Sequence, residues 1–298
     1  MSLTTIKLFV TAVIWGGTFI AGRMLGGEIA PFSASFLRFV AANIFLVGFF
    51  LWKEGTLPRL DARMLLLLCG LGATGVFLYN VFFLWGLTYV PAGRAAIIVA
   101  GNPVFIALLS FVFFREPLTR NKMAGVVLCL TGAALVIGHG NPLGLFTGAV
   151  SLGDLAIVGA MFSWVSYSLL GKQVMGKLTP LAAVTCSCVV GMFMLLPPAL
   201  NEGLMQQAAR LSATGWAAIA YLGVLGTGVG FVWFYQGIRE IGASRAAVFI
   251  NFVPVSAATM GVLFLGEQVD ASLLAGGALV LCGVALTNNL GRPVRPAK

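Results

Sequence analysis

The chain has 298 residues, 59% of them hydrophobic and 9% charged, with a net charge of +9. Soluble domains carry roughly 45–50% apolar and about 25% charged residues, so a water-soluble globule would lack the charges to cover its surface. The single histidine argues against a metal or acid–base enzyme, and the basic residues fall singly or in small groups between apolar runs, not in a nucleic-acid-binding stripe.

A bilayer-crossing helix needs roughly 20 apolar residues. With that ruler the chain gives ten spans, over residues 4–25, 32–52, 63–89, 92–114, 122–137, 151–170, 180–200, 214–238, 244–265 and 272–289. The first run lacks a small-x-small cleavage end and many more runs follow it, so it is read as a retained span. The connections are short and hold no inserted soluble domain. Cys69, Cys129, Cys186, Cys188 and Cys282 all lie in apolar runs without Cys-x-x-Cys spacing; they read as small buried residues.

Lys and Arg collect on the cytoplasmic side of membrane proteins. With the N-terminus placed in the cytoplasm, only Arg23, Arg94 and Arg210 fall outside and Arg38 falls within a span; every other Lys and Arg falls inside. Both termini are therefore predicted cytoplasmic.

The fourth span opens "RAAIIVAGNPVF" at Arg94 and the ninth opens "RAAVFINFVPVS" at Arg245. The echo continues: Pro103 and Pro254, Glu116 and Glu267, Gly72 and Gly223, and Gly132 and Gly283 all lie 151 positions apart. Earlier in each half the offset is 149, pairing Trp15 with Trp164, Gly22 with Gly171 and Pro31 with Pro180. The chain thus reads as two copies of a five-span unit, residues 1–148 and 149–298. Five is odd, so the second copy enters the membrane from the opposite side. Inverted repeats of this kind are typical of secondary transporters, with the substrate site near the midplane between them. Pro103 and Pro254 fall near the middle of spans 4 and 9, where proline kinks a helix. They read as a pair of hinges; the static alternative is that they shape packing.

These residues resemble a family. "VIWGGTFIAGRML" in span 1, "APFSASFLRFVAANIFL" in span 2 and "PAGRAAIIVAGNPVFIALLSFVFFREPLTRNKMAGVVLCLTGAALV" across spans 4 and 5 are similar to motifs of the EamA-type transporters of the drug/metabolite transporter superfamily. The resemblance covers nearly the whole chain. It implies an all-α ten-helix exporter in which helices 1–4 and 6–9 surround a cavity and helices 5 and 10 are peripheral, with no cofactor and no metal. Within the family, the aromatic-rich centre is similar to the YddG-like amino-acid exporters. Span 7 departs from the pattern: Ser187 stands where span 2 has Arg38.

An ionisable residue within a span is a functional candidate. Arg38 either holds a substrate carboxylate with its planar fork, snorkels to the outer surface, or satisfies helix carbonyls. Neither Asp nor Glu sits at mid-span; Asp154, Glu116 and Glu267 lie near span ends, and His139 ends span 5 facing water. Proton-coupled carriers usually use membrane-embedded carboxylates, so movement without proton coupling is expected. The candidate substrate-binding residues are Trp15 and Thr18 on one face of span 1, Arg38, Tyr79 and Asn80 of span 3, Ser163, Trp164 and Tyr167 of span 6, Trp233 of span 8, and Asn102 and Asn251 beside the two prolines. For the deep aromatics the alternative to a cavity wall is helix packing. An apolar, aromatic wall with a few hydroxyls and amides suits neutral or zwitterionic solutes, aromatic amino acids and methionine among them.

The leading expectation is therefore an inner-membrane exporter of small metabolites, foremost amino acids, with a small-molecule substrate and the bilayer as its partners. A multidrug or organic-cation effluxer is the alternative. An intramembrane enzyme would need a catalytic set at one depth, which the lone histidine does not supply. Small residues on spans 5 and 10, among them Gly125, Gly132, Gly276 and Gly283, allow close helix approach; they point to packing of those spans on each other, and a monomer is expected, with a dimer as the alternative.

Overall fold

The computed structural model describes residues 3–56, 60–102, 104–105, 108–109, 112, 120–141, 150–174, 177–241, 249–250 and 252–287. Those residues are helical throughout, joined by short turns. The helices are α1 (Leu3–Leu25), α2 (Pro31–Lys53), α3 (Ala62–Tyr89), α4 (Ala92–Val99), α5 (Arg120–Ile137), α6 (Leu152–Val174), α7 (Pro180–Asn201), a short α8 (Leu204–Arg210), α9 (213–241), α10 (Phe252–Leu265) and α11 (Ala271–Thr287). Six of them are long and apolar enough to cross a membrane, and three shorter apolar helices accompany them. Six long apolar helices make the chain a multi-pass membrane protein. The short α8 was not expected from the sequence; it follows Gly203, whose φ of 81° turns the chain out of α7.

Local chemistry sets the helix starts. Proline occupies the first turn of α2 and α7, where its missing N–H costs nothing. Side chains cap four helices, α7 among them: Asp61 accepts from the Met64 N–H, Thr179 from Ala182, Ser212 from Gly215 and Asp270 from Leu273. The apolar residues then divide. Phe83, Leu46, Leu71, Leu222 and Ile157 fill the interior, whereas Ile44, Leu66, Phe193 and Phe264 lie on the outer, lipid-facing wall.

Two helices carry a π-helical stretch, Gly72–Leu78 within α3 and Tyr221–Val229 within α9. These stretches lie 151 positions apart at both Gly72/Gly223 and Leu78/Val229. Short π segments often sit at functional sites, and their freed carbonyls need donors. Asn80 Nδ2 donates to the Gly75 and Val76 carbonyls, and Thr227 Oγ1 donates to the Leu222 carbonyl.

Several helix contacts recur in matching pairs. α1 contacts α9 and α10, as α6 contacts α3 and α4. α2 packs on the π stretch of α9, as α7 packs on that of α3. α2 also packs on α7, and α5 on α11. The α5–α11 pair approaches through glycine: a Cβ at Gly132 would meet the Gly276 carbonyl at 2.6 Å, and one at Gly283 would meet the Gly125 carbonyl at 2.6 Å.

Candidate substrate site

The helices α1, α3, α6 and α9 bring aromatic rings together at their common centre. Trp15 lies 5.7 Å from Phe231, Phe231 lies 5.9 Å from Trp164, and Trp164 lies 5.2 Å from Tyr79. Tyr79 stacks on Phe83 at 5.6 Å, and Phe83 meets Phe19 at 5.0 Å. The circuit thus returns to α1, one turn from Trp15. Tyr167 and Phe234 join from the sides, at 5.3 Å from Trp164 and 5.2 Å from Trp15. All of these separations suit edge or offset ring contacts.

Polar groups fix this ring. Trp15 Nε1 donates to the Gly226 carbonyl at 2.9 Å, so the α9 π stretch holds the indole in place. Gly230 leaves room for that indole: a Cβ there would lie 2.6 Å from Trp15 Nε1. Gly75, in the α3 π stretch, lets the Tyr167 ring lie directly on the backbone. Thr18 is buried, donates to the Trp15 carbonyl at 2.6 Å, and packs its methyl against Gly226. Ser163 is buried and donates to Gly159 at 2.8 Å.

Arg38 lies beside the cluster. Its side chain is 6% exposed, so it does not snorkel to the surface. Nε and Nη2 both donate to Thr227 Oγ1, at 3.3 and 3.2 Å, and not to helix carbonyls. The guanidinium also lies 5.6 Å from the Phe39 ring centre. Gly223 makes the approach possible, since a Cβ there would clash with the Arg38 carbonyl at 2.5 Å.

The structure thus brings together Trp15, Thr18, Tyr79, Trp164 and Tyr167, with Arg38 bonded to Thr227 beside the Gly226 carbonyl that holds Trp15, whereas Ser163 bonds only its own helix. Asn80 faces the π stretch of its own helix, with its amide on those carbonyls. Trp233 is half-buried and makes none of these ring contacts; Phe231 and Phe234, on another face of α9, take that place. Asn102 is half-buried, with its Oδ1 unbonded among the described residues. Pro254 is buried in the first turn of α10, whereas Pro103 and Asn251 lie outside the described residues. Phe19, Phe83, Phe231 and Phe234 were not singled out from the sequence. Among 23 phenylalanines, nothing in composition or spacing marks them.

A second polar cluster lies where α4, α5 and α6 meet. Arg94 and Asp154 form a buried ion pair at 2.9 Å, and the Arg94 Nη1 also meets the ring of the exposed His139. Glu267, beyond α10, accepts from the Ala92 and Gly93 N–H groups at the start of α4. Glu116 lies outside the described residues. A small pocket opens here, lined by Arg94, His139, Glu267 and Asp270, away from the aromatic circuit. No group of three or more His, Cys, Asp or Glu suited to a metal occurs among the described residues.

Comparison with known proteins agrees with this architecture. A family model described as "EamA-like transporter family" matches residues 3–138 and 151–289. A "Probable terminal-alkyne amino-acid exporter" of Streptantibioticus cattleyicolor is 31% identical, over 96% of this chain and 94% of its own. An "Uncharacterized transporter YyaM" of Bacillus subtilis is 28% identical, over 96% and 94% of the two chains. An "Uncharacterized inner membrane transporter YedA" of Escherichia coli is 27% identical, over 98% and 92%. One solved crystal structure is similar over 98% of this chain and 99% of its own, at a TM-score of 0.67 and 20% identity, which shows a shared fold.

Proposed function

Since the chain belongs to the EamA-like transporter family, we propose that it exports small metabolites across the inner membrane, foremost amino acids with aromatic or other apolar side chains such as methionine. The observation that carries this reading is the ring circuit Trp15–Phe231–Trp164–Tyr79–Phe83–Phe19 at the seam of four helices. Rings in that arrangement bind apolar side chains by area and an ammonium group by their faces. The relative named a probable terminal-alkyne amino-acid exporter, at 31% identity, supports the same substrate class.

We read the mechanism as alternating access between two inverted five-helix repeats, 1–148 and 149–298, forming ten spans with both termini cytoplasmic. The helix contacts that recur in matching pairs and the matched π stretches support this. In such a pair, inward- and outward-facing shapes are related by swapping the roles of the halves. Pro103 and Pro254 serve as hinges in this scheme. Asp154 is the one buried acid among the described residues, and Arg94 holds it. That supports transport without proton coupling.

A competition panel in proteoliposomes tests the reading. Aromatic and aliphatic amino acids should compete for uptake, and an imposed pH gradient should drive no accumulation. Competition by organic cations alone would install the multidrug alternative, which the aromatic circuit also suits.

A further inference from the structure

Arg38 is a cation buried within a membrane helix and satisfied by a single hydroxyl. Two of its five N–H donors reach Thr227 Oγ1. The Nη1 group, buried as well, has no hydrogen-bond partner among the described residues. Nor does a carboxylate neutralise it: the buried acid Asp154 is engaged by Arg94, and the other described ion pair, Lys177–Asp61, is exposed. A buried, unpaired charge is costly and is retained where it has work to do.

Its position suggests that work. Thr227, which holds Arg38, follows Gly226, which holds Trp15. The guanidinium therefore flanks the aromatic wall, with its free donors not committed to the protein. The repeat makes it one-sided, because its counterpart Ser187 is a buried hydroxyl donating to Val184 at 2.9 Å. One end of the site is cationic and its other candidate residues are uncharged.

Resting on the amino-acid-exporter reading, we propose that Arg38 is the specificity-determining residue of the site, its Nη1 receiving the carboxylate of the transported amino acid while the side chain lies among the rings. Guanidinium–carboxylate pairing in a desolvated site is strong and directional. Solutes with the same side chain and no carboxylate are selected against, since they leave the cation unpaired.

The test uses purified full-length protein in proteoliposomes with phenylalanine, methionine and leucine, each beside its carboxamide. Wild type should prefer each acid over its amide by at least about tenfold, the step that one charge-assisted pair supplies. Arg38→Gln should abolish the difference between acid and amide. Arg38→Lys, which keeps the charge and loses the fork, should retain part of the preference. Equal inhibition by acid and amide in wild type, or an undiminished preference in a folded Arg38→Gln protein, overturns the assignment while leaving the exporter reading intact. Failure of every acid and every amide to compete overturns both. The wild-type comparison needs no variant, so a misfolding Arg38→Gln protein does not shield the proposal.

Discussion

Arg94 on α4 and Asp154 on α6 face each other through two charge-assisted hydrogen bonds of 2.9 Å, Nε to Oδ1 and Nη2 to Oδ2. The pair is well supported. Arg94 Nη2 also donates to the Ile137 carbonyl at 2.7 Å, and Ser151 donates to Asp154 from both its N–H and its hydroxyl, at 3.0 and 2.7 Å. Asp154→Ala leaves Arg94 buried and uncompensated, so it should destabilise the protein by about 3–5 kcal/mol, whereas Arg94→Met with Asp154→Leu should restore most of that. Thermal melting in detergent reads both. A single variant as stable as wild type would mean the pair is solvated.

The α5–α11 contact makes a second prediction. Gly132 and Gly283 each sit against a carbonyl of the facing helix, with 2.6 Å to any added Cβ. Gly132→Val should force the helices apart and cost about 1–3 kcal/mol. Gly48 on α2 has open space around it, so Gly48→Ala is the control and should melt with wild type. Equal melting of Gly132→Val and wild type would show that α5 and α11 tolerate separation.

The legible part of the molecule was the part written in periodicity. Long apolar runs announced the helices, and the 151-residue echo of Gly and Pro includes Gly72 and Gly223, both of which lie in π stretches. Trp15, Tyr79, Trp164 and Tyr167 were visible because Trp and Tyr are rare at depth. Phe231 and Phe234 were not, because phenylalanine is common along the whole chain and their ring contacts with Trp15 and Trp164 are made only by the fold. The Arg94–Asp154 pair was hidden for another reason: each residue lies at a helix end, where charges are commonplace, and only the fold joins positions 60 apart in sequence.

Asp270 gives a prediction in pH. Its carboxyl is held below the ordinary value of 3.8, first by the Leu273 backbone N–H, then by the Ser272 hydroxyl, with His139 and Arg94 adding positive charge. A depressed folded-state value means that the cap stabilises α11 above the ordinary carboxylate value and is lost as pH falls through the lower folded one. Hydrogen-exchange protection of amides 271–274 should therefore hold at neutral pH and fall as the pH drops below the ordinary carboxylate value of 3.8. Asp270→Asn, which caps without titrating, should flatten the profile. A wild-type profile already flat below that value would remove the cap from the account.

The aromatic circuit makes the most local prediction. Gly75 and Gly230 have rings laid directly against them, Tyr167 and Trp15. Gly230→Ala should push the Trp15 indole off the Gly226 carbonyl, and Gly75→Ala should displace Tyr167 from Trp164. Either change disturbs ring pairs worth about 0.5–1.5 kcal/mol each, so substrate KM should rise about three- to tenfold with little change in melting temperature. Trp164→Ala removes three ring contacts at once, to Tyr79, Tyr167 and Phe231, and should exceed both. Trp233→Ala touches none of these rings and should leave KM unchanged. Transport kinetics of the four variants in proteoliposomes decide it. A KM that moves with Trp233 and stays still with Trp164 would place the substrate on a different face of α9.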